Sequence, residues 1–217
     1  MTFRIPVRSA EAETIVRGSR FRAWISRAED VEAAEGVLDG RAAAGRDATH
    51  HCWAYRVWRD GRIEEAGFDA GEPGGTAGRP ILGSLQAAEL IQAVCVVSRW
   101  FGGVKLGTGG LGRAYADAAS TAIEAARESG AVLDAIQEVA FGVRFPYALS
   151  GAVRRVASRF DASSSGSDYG ELVELELHVP ASHADAFERA LADGTAGAIS
   201  MRRGRTRWEA VKPRPAR

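Results

Sequence analysis

The chain has 217 residues, is 46% hydrophobic, and carries 28 basic and 28 acidic side chains for a formal net charge of zero. That length suffices for one large cored domain or two small ones. The two cysteines, Cys52 and Cys95, are too few for a disulfide scaffold or an all-cysteine zinc site. No apolar run is long enough to span a membrane and no charged segment leads into an apolar core, so the expected compartment is the cytoplasm, with no membrane partner.

Residues 19–25 alternate, with Phe21, Ala23 and Ile25 on one side and Arg20, Arg22 and Trp24 on the other, which predicts a strand. Residues 30–44 predict a helix through Val31, Ala34, Val37, Leu38 and Ala42. Residues 52–58 alternate up to a turn at Asp60-Gly61, so residues 62–66 read as their hairpin partner. Pro80 opens a helix over 80–88, and residues 94–98 (VCVVS) read as a buried central strand. The clearest helix is 111–129, with Leu111, Ala114, Tyr115, Ala118, Ala119, Ala122, Ile123 and Ala126 on one face and Gly130 as its stop. Its small residues imply close packing on a sheet.

A tight linker is expected at 131–135, and a second unit follows. It reads as a strand at 138–145, a helix at 146–160, a Ser- and Gly-rich turn or mobile loop at 161–170, a strand at 172–179, a helix at 183–192 and a last strand at 199–208. That order fits a small ferredoxin-like unit. The expected fold class is therefore α+β with two domains, 1–134 and 135–209, and a basic disordered tail at 210–217. Over residues 202–217 the bases are Arg202, Arg203, Arg205, Arg207, Lys212, Arg214 and Arg217 against the single acid Glu209, so the rest of the chain is net acidic. Such a tail can contact nucleic acid or an acidic partner, or serve solubility alone.

Two glycine-rich passages flank the 94–98 strand: DAGEPGGTAGRP at 69–80 and RWFGGVKLGTGGLGR at 99–113. Clustered glycines admit positive φ and close backbone approach, and both passages carry cations. They supply a candidate surface for an anion or nucleic acid. Gly74, Gly75, Thr76 and Arg79 come from the first; Arg99, Gly102, Gly103, Lys105, Gly107, Thr108, Gly109, Gly110 and Arg113 come from the second. Free N–H groups and a positive dipole end at residues 110–113 would hold the anion; the competing reading is a tight turn whose glycines serve packing. GTGGLG satisfies G-x-G-x-x-G, but it does not directly follow its strand and no second parallel strand ending in an acid is present, so a dinucleotide fold is excluded. Lys105-Leu106 does not complete a phosphate-binding G-K-[ST] loop.

His50 and Cys52 share one side of a strand and His51 takes the other. No third ligand cluster accompanies them, so neither a metal nor a cofactor is expected. A Cys52 nucleophile with His50 as base would sit in apolar surroundings. Asp69 and Glu72 can act as acid and base, hold a cation, or fix the loop by accepting backbone N–H groups and pairing with nearby cations. They stand, with His50 and Tyr55, as supporting residues, and no catalytic residue is assigned.

Three passages together resemble the IMPACT/YigZ family: DATHHCWAYR at 47–56, DAGEPGGTAGRPIL at 69–82 and VVSRWFGGVKLGTGGLGRAYADAA at 96–119. The resemblance covers about residues 10 to 130. The chain departs from the family pattern at Ala70, where a second acid is usual, at Gly74, where Ser is usual, and at Gly112, where an apolar residue is usual. The resemblance implies a ribosomal-protein-S5-domain-2-like α/β first domain and a second domain resembling the C-terminal domain of an elongation factor. These folds recur in translation factors, and eukaryotic relatives regulate translation through a kinase-activating partner. It thus implies a non-enzymatic cytoplasmic regulator that binds RNA, the ribosome or a translation-related protein. Two alternatives stay open. One is an enzyme or binding protein for a small phosphorylated or carboxylated molecule. The other is a protein-interaction module anchored by Trp53, Trp100 and Phe101.

Overall fold

A computed structural model describes residues 3–59, 61–169 and 172–211. It divides into two compact units, Met1–Ala135 with Ala210–Arg217, and Ile136–Glu209. The elements run β1 (Phe3–Pro6), β2 (Ala10–Val16), β3 (Ser19–Arg27), α1 (Val31–Ala44), β4 (His50–Arg59), β5 (Arg62–Phe68), α2 (Gly78–Ala87), β6 (Ala93–Trp100), α3 (Gly107–Glu128), β7 (Val132–Pro146), α4 (Ser150–Arg159), β8 (Ser163–Tyr169), β9 (Leu172–Pro180), α5 (Ala184–Gly194) and β10 (Ser200–Ala210). The fold is mixed α and β, with two sheets.

The first unit holds an antiparallel sheet in the order β2-β3-β6-β4-β5. Strand alternation puts Phe21, Ala23, Ile25, Cys52, Ala54, Cys95 and Val97 on one face, beneath α2 and α3. Trp53, Tyr55, Val57, Val94 and Val96 take the other face, against α1. β6 is central and buried on both faces, which is why its residues 93–97 are an unbroken apolar run. Asp30 caps α1, its carboxylate accepting the Ala33 N–H at 2.8 Å.

Helices α2 and α3 run side by side in the same direction. A Cβ on Gly112 would lie 3.8 Å from Pro80. One turn on, the Ser84 hydroxyl donates to the Ala116 carbonyl at 3.2 Å, and the Arg127 guanidinium reaches the Ala88 carbonyl at the far end, also at 3.2 Å. Gly112, Ala116 and the buried alanines of α3 allow this approach. Both helix N-termini therefore open at the same end of the unit. β1 completes the unit by pairing with the start of β7, Phe3 opposite Ala135 through Pro6 opposite Val132.

In the second unit the strands lie in the order β10-β7-β9-β8. Phe141, Val143, Phe145, Val173, Leu177 and Val179 face Val153 of α4 and Phe187 and Leu191 of α5. The opposite face carries charged pairs such as Arg144 with Glu174 at 2.9 Å.

Four sequence expectations change. Residues 163–169, read as a turn or mobile loop, form β8, an edge strand whose register shifts between Ser165 and Ser167; its partner β9 supplies the apolar alternation that β8 lacks. Residues 132–135, read as linker, are the paired start of β7. α3 begins at Gly107, not Leu111, so Gly109 and Gly110 are helical. β10 runs to Ala210, past the expected end at residue 208, so the first residue of the expected tail belongs to the strand, as Arg202, Arg203, Arg205 and Arg207 do. Arg203 pairs there with Asp185 at 2.7 Å and Arg207 with Glu138 at 3.3 Å. Residues 212–217 of that tail, and the expected turn residue Asp60, lie outside the described residues.

Candidate functional site

The β5–α2 loop and the β6–α3 loop meet where the two helices begin. Asp69 ends the path out of β5, and its carboxylate accepts the N–H groups of Gly75 (2.7 Å), Ala77 (2.8 Å) and Gly78 (3.0 Å). It thereby satisfies donors at the start of α2, which has no cap from its adjacent residue Ala77. Burial pushes the Asp69 carboxyl up, but these N–H groups and that of Thr76 outweigh it and hold it below the usual carboxylate range. Thr76 is buried and gives its hydroxyl to the Pro73 carbonyl at 2.6 Å. The α2 end is thus filled by the chain's own carboxylate.

Glu72 is the centre of a second, buried network. Its Oε1 accepts from Arg99 Nη1 at 2.5 Å and from the Tyr115 hydroxyl at 2.8 Å, with His50 Nε2 at 4.0 Å. The Arg99 and Glu72 side chains are only 7% and 4% exposed. Arg99 lies 5.5 Å from the Phe21 ring centroid and 5.6 Å from that of Phe101. The Cys52 sulfur lies 2.9 Å from the Asp69 carbonyl oxygen and 3.3 Å from the Tyr115 oxygen. Burial, above all, pushes the Cys52 thiol up to about 12, and it likewise raises Tyr115. A thiol so placed stays protonated at neutral pH and is no nucleophile. His50 Nδ1 lies 2.9 Å from the Ala70 carbonyl. Asp69 and Glu72 therefore act as internal fasteners of the loop.

The remaining sequence-selected residues separate into two groups. Gly102 is held by packing: a Cβ there would fall 1.9 Å from the Gly18 carbonyl carbon, in the β2–β3 turn. Gly74, Gly103, Lys105, Thr108, Gly109, Arg79 and Arg113 are exposed. The first turn of α3, Gly107 to Gly110, carries no side-chain cap and no acid. A cleft of about 180 Å³ opens beside it, lined by Val16, Arg17, Leu106, Gly110, Arg113, Ala114 and Asp117. No acid comes within ion-pair distance of Arg17, Arg79, Lys105 or Arg113 among the described residues.

Tyr55 does not join this site. It is buried on the α1 face of the sheet, 5.7 Å from Trp53 between ring centroids. Trp53 is also buried there, stacked on Phe68 at 4.3 Å, so it cannot anchor a partner; Phe101 is 49% exposed. Sequence reasoning missed Tyr115, counted only as a core residue of α3; its signal was a hydroxyl on an otherwise aliphatic face. It also missed Arg17, brought in by the β2–β3 turn. Among the described residues no His, Cys, Asp and Glu group is arranged to hold a metal ion. No helix there is long and apolar enough to cross a membrane.

Two α/β units, the first with paired glycine loops locked by an acid–arginine–tyrosine network, define the class of protein. Residues 17–123 match the Impact N-terminal domain and residues 143–198 match a domain of unknown function. The chain is 30% identical over 208 residues to the IMPACT family member YigZ of Escherichia coli, covering 91% of this chain and 95% of that one. It is 31% identical over 196 residues to the IMPACT family member YvyE of Bacillus subtilis, with 90% and 88% covered. A crystal structure of a hypothetical protein superposes with a TM-score of 0.62 at 26% identity, covering 92% of this chain and 96% of that chain. The chain belongs to the IMPACT family.

Proposed function

We propose that this protein is a non-enzymatic cytoplasmic regulator that contacts RNA of the translation machinery through the end of the first unit where α2 and α3 begin. The observation that carries this reading is the contrast between the two helix starts. Asp69 fills the α2 end, while the first turn of α3 lacks both a cap and an acid, and Arg17, Lys105 and Arg113 stand around it without acidic partners among the described residues. Exposed backbone donors, a positive dipole end and unpaired cations together suit phosphate oxygens. Asp117 lines the same cleft and sets the limit on how much negative charge it takes. The family supports a regulatory role, and the strand order β10-β7-β9-β8 with α4 and α5 on one face supports the ferredoxin-like reading of the second unit. The S5-domain-2-like reading of the first unit rests on the resemblance.

The test is the salt dependence of binding to a short single-stranded RNA, followed by fluorescence anisotropy. Lys105→Ala with Arg113→Ala should reduce the slope of log affinity against log salt by about 1.4, two phosphate contacts at about 0.7 each. A slope unchanged by the double substitution removes this surface from the interface. Saturable binding of inorganic phosphate without RNA binding would favour a small anionic ligand instead.

A further inference from the structure

On the opposite face of the first unit's sheet, α1 covers only part of the strands. Its floor is set by register: Arg20 pairs with Trp100, Arg22 with Ser98 and Trp24 with Val96 across β3 and β6, while Glu11 lies opposite Trp24 and Glu13 opposite Arg22 across β2 and β3. The last turn of α1 reaches this floor with Arg41, Ala44 and Gly45. Between them is a cleft of about 220 Å³ whose lining includes Arg20, Arg22, Trp24, Arg41, Asp47 and Trp100.

Three features make the cleft unlike an ordinary solvated surface. The Arg20 guanidinium carbon stands 4.0 Å from the Trp100 ring centroid and that of Arg41 stands 4.0 Å from the Trp24 ring centroid, giving two stacked cation–indole plates. Glu13 is shared by Arg22 at 3.1 Å and Arg20 at 3.9 Å, whereas Arg41 has no acidic partner among the described residues. The Trp100 indole N–H is buried and makes no hydrogen bond among the described residues, which costs free energy.

We infer that this Trp–Arg cleft is a nucleotide-base site, taking one amino-bearing purine from a free nucleotide or a single RNA strand, with its phosphate turned to the arginines. Planar guanidinium and indole surfaces are what unstacked bases lie against. The cleft is smaller than pockets that enclose a drug-sized ligand, which suits one base rather than a longer ligand. Glu11 and Asp47, both in the lining, supply acceptors for an exocyclic amine. The site goes beyond the glycine-loop surface and does not rest on it.

The test uses the full chain, with adenosine 5′-monophosphate and end-labelled oligoadenylate and oligouridylate as probes. Adenosine 5′-monophosphate should quench indole emission saturably, and oligoadenylate should bind more tightly than oligouridylate. Trp100→Phe, which replaces the two-ring indole by a single ring and shrinks the face a base can lie against, and Arg41→Gln should each weaken binding about tenfold with unfolding midpoints preserved. Tighter binding of the oligonucleotide than of the mononucleotide identifies RNA as the source; equal affinity identifies the free nucleotide. Lys105→Ala with Arg113→Ala should leave quenching by the mononucleotide intact, which separates this site from the loop surface. Absence of quenching, or affinities within about twofold of the parent in both Trp100→Phe and Arg41→Gln, overturns the inference.

Discussion

Tyr115 of α3 donates its phenolic proton to Glu72 of the β5–α2 loop at 2.8 Å, in a buried site that Arg99 enters from β6. One carboxylate thus joins three segments that are distant in sequence, and the two glycine loops are held together by it. A buried pair of this kind is worth little against an apolar replacement of both partners, yet removing one partner leaves an uncompensated charge. Glu72→Ala should cost about 3–5 kcal/mol, and Tyr115→Phe about 1–3 kcal/mol for the lost bond to a charged acceptor. Urea unfolding measures both. A Glu72→Ala midpoint equal to the parent's would show that the network does not hold the loops.

Asp69 gives the loop a pH dependence of definite sign. Its folded pKa lies below the ordinary 3.8 because backbone N–H groups bind the ionised form. The stabilisation is therefore fully present above the unfolded value and is lost as pH falls through the depressed folded value. Asp69→Asn should be less stable than the parent at pH 7, with the gap narrowing below about pH 4. Parallel acid and neutral unfolding curves check it; a gap that persists unchanged at low pH would refute the capping role.

Ala70 occupies the left-handed region at φ 47°, between Asp69 and Gly71, in a turn closed by the Glu72 N–H to the Asp69 carbonyl at 3.0 Å. A Cβ there is strained by about 1–2 kcal/mol, partly offset in a glycine variant by the entropy of the unfolded chain. Ala70→Gly should raise stability by about 0.5–1 kcal/mol. Thermal unfolding of the variant decides, and a lowered midpoint would count against the strain.

Cys52 and Cys95 are both buried, and burial pushes each thiol up to about 12 from an ordinary 9.0. Neither should react with a thiol-specific disulfide reagent in the native protein at pH 8, and both should react in denaturant. Because the folded values are raised, this stabilisation is complete below pH 9 and is lost as pH rises toward 12. Rapid native labelling at Cys52 would reopen a nucleophilic role for it.

What the sequence made legible was local. Phe21, Ala23 and Ile25 on β3, and the alanine face of α3, follow directly from periods of 2 and 3.6, and the structure keeps both faces inward. The start of α3 was misplaced because glycine propensity argues against helix, whereas the helix already includes Gly107, Gly109 and Gly110. β8 was missed because Ser163, Ser164 and Ser165 carry no apolar period, and only pairing to β9 makes them a strand. Arg99 was read both as a cation of the loop surface and as one of the bases near enough in sequence to pair with Asp69 or Glu72. Its burial against Glu72 is set by tertiary pairing 27 positions away, which no local pattern carries.

The last prediction separates the loop surface from the C-terminal bases. A deletion beginning at Arg202 would be uninformative, because it removes β10 and its pairs from Arg203 to Asp185 and from Arg207 to Glu138. Truncation after Val211 removes Lys212, Arg214 and Arg217 and leaves every described strand. Clustered bases give salt-dependent sticking to any polyanion, so the truncated chain should bind RNA somewhat more weakly at low salt. The slope attributable to Lys105 and Arg113 should survive in it, and combining the truncation with both substitutions should lower the slope further than either change alone. If truncation alone abolishes binding while the double substitution changes nothing, the C-terminal bases are the contact and the α3 end is not.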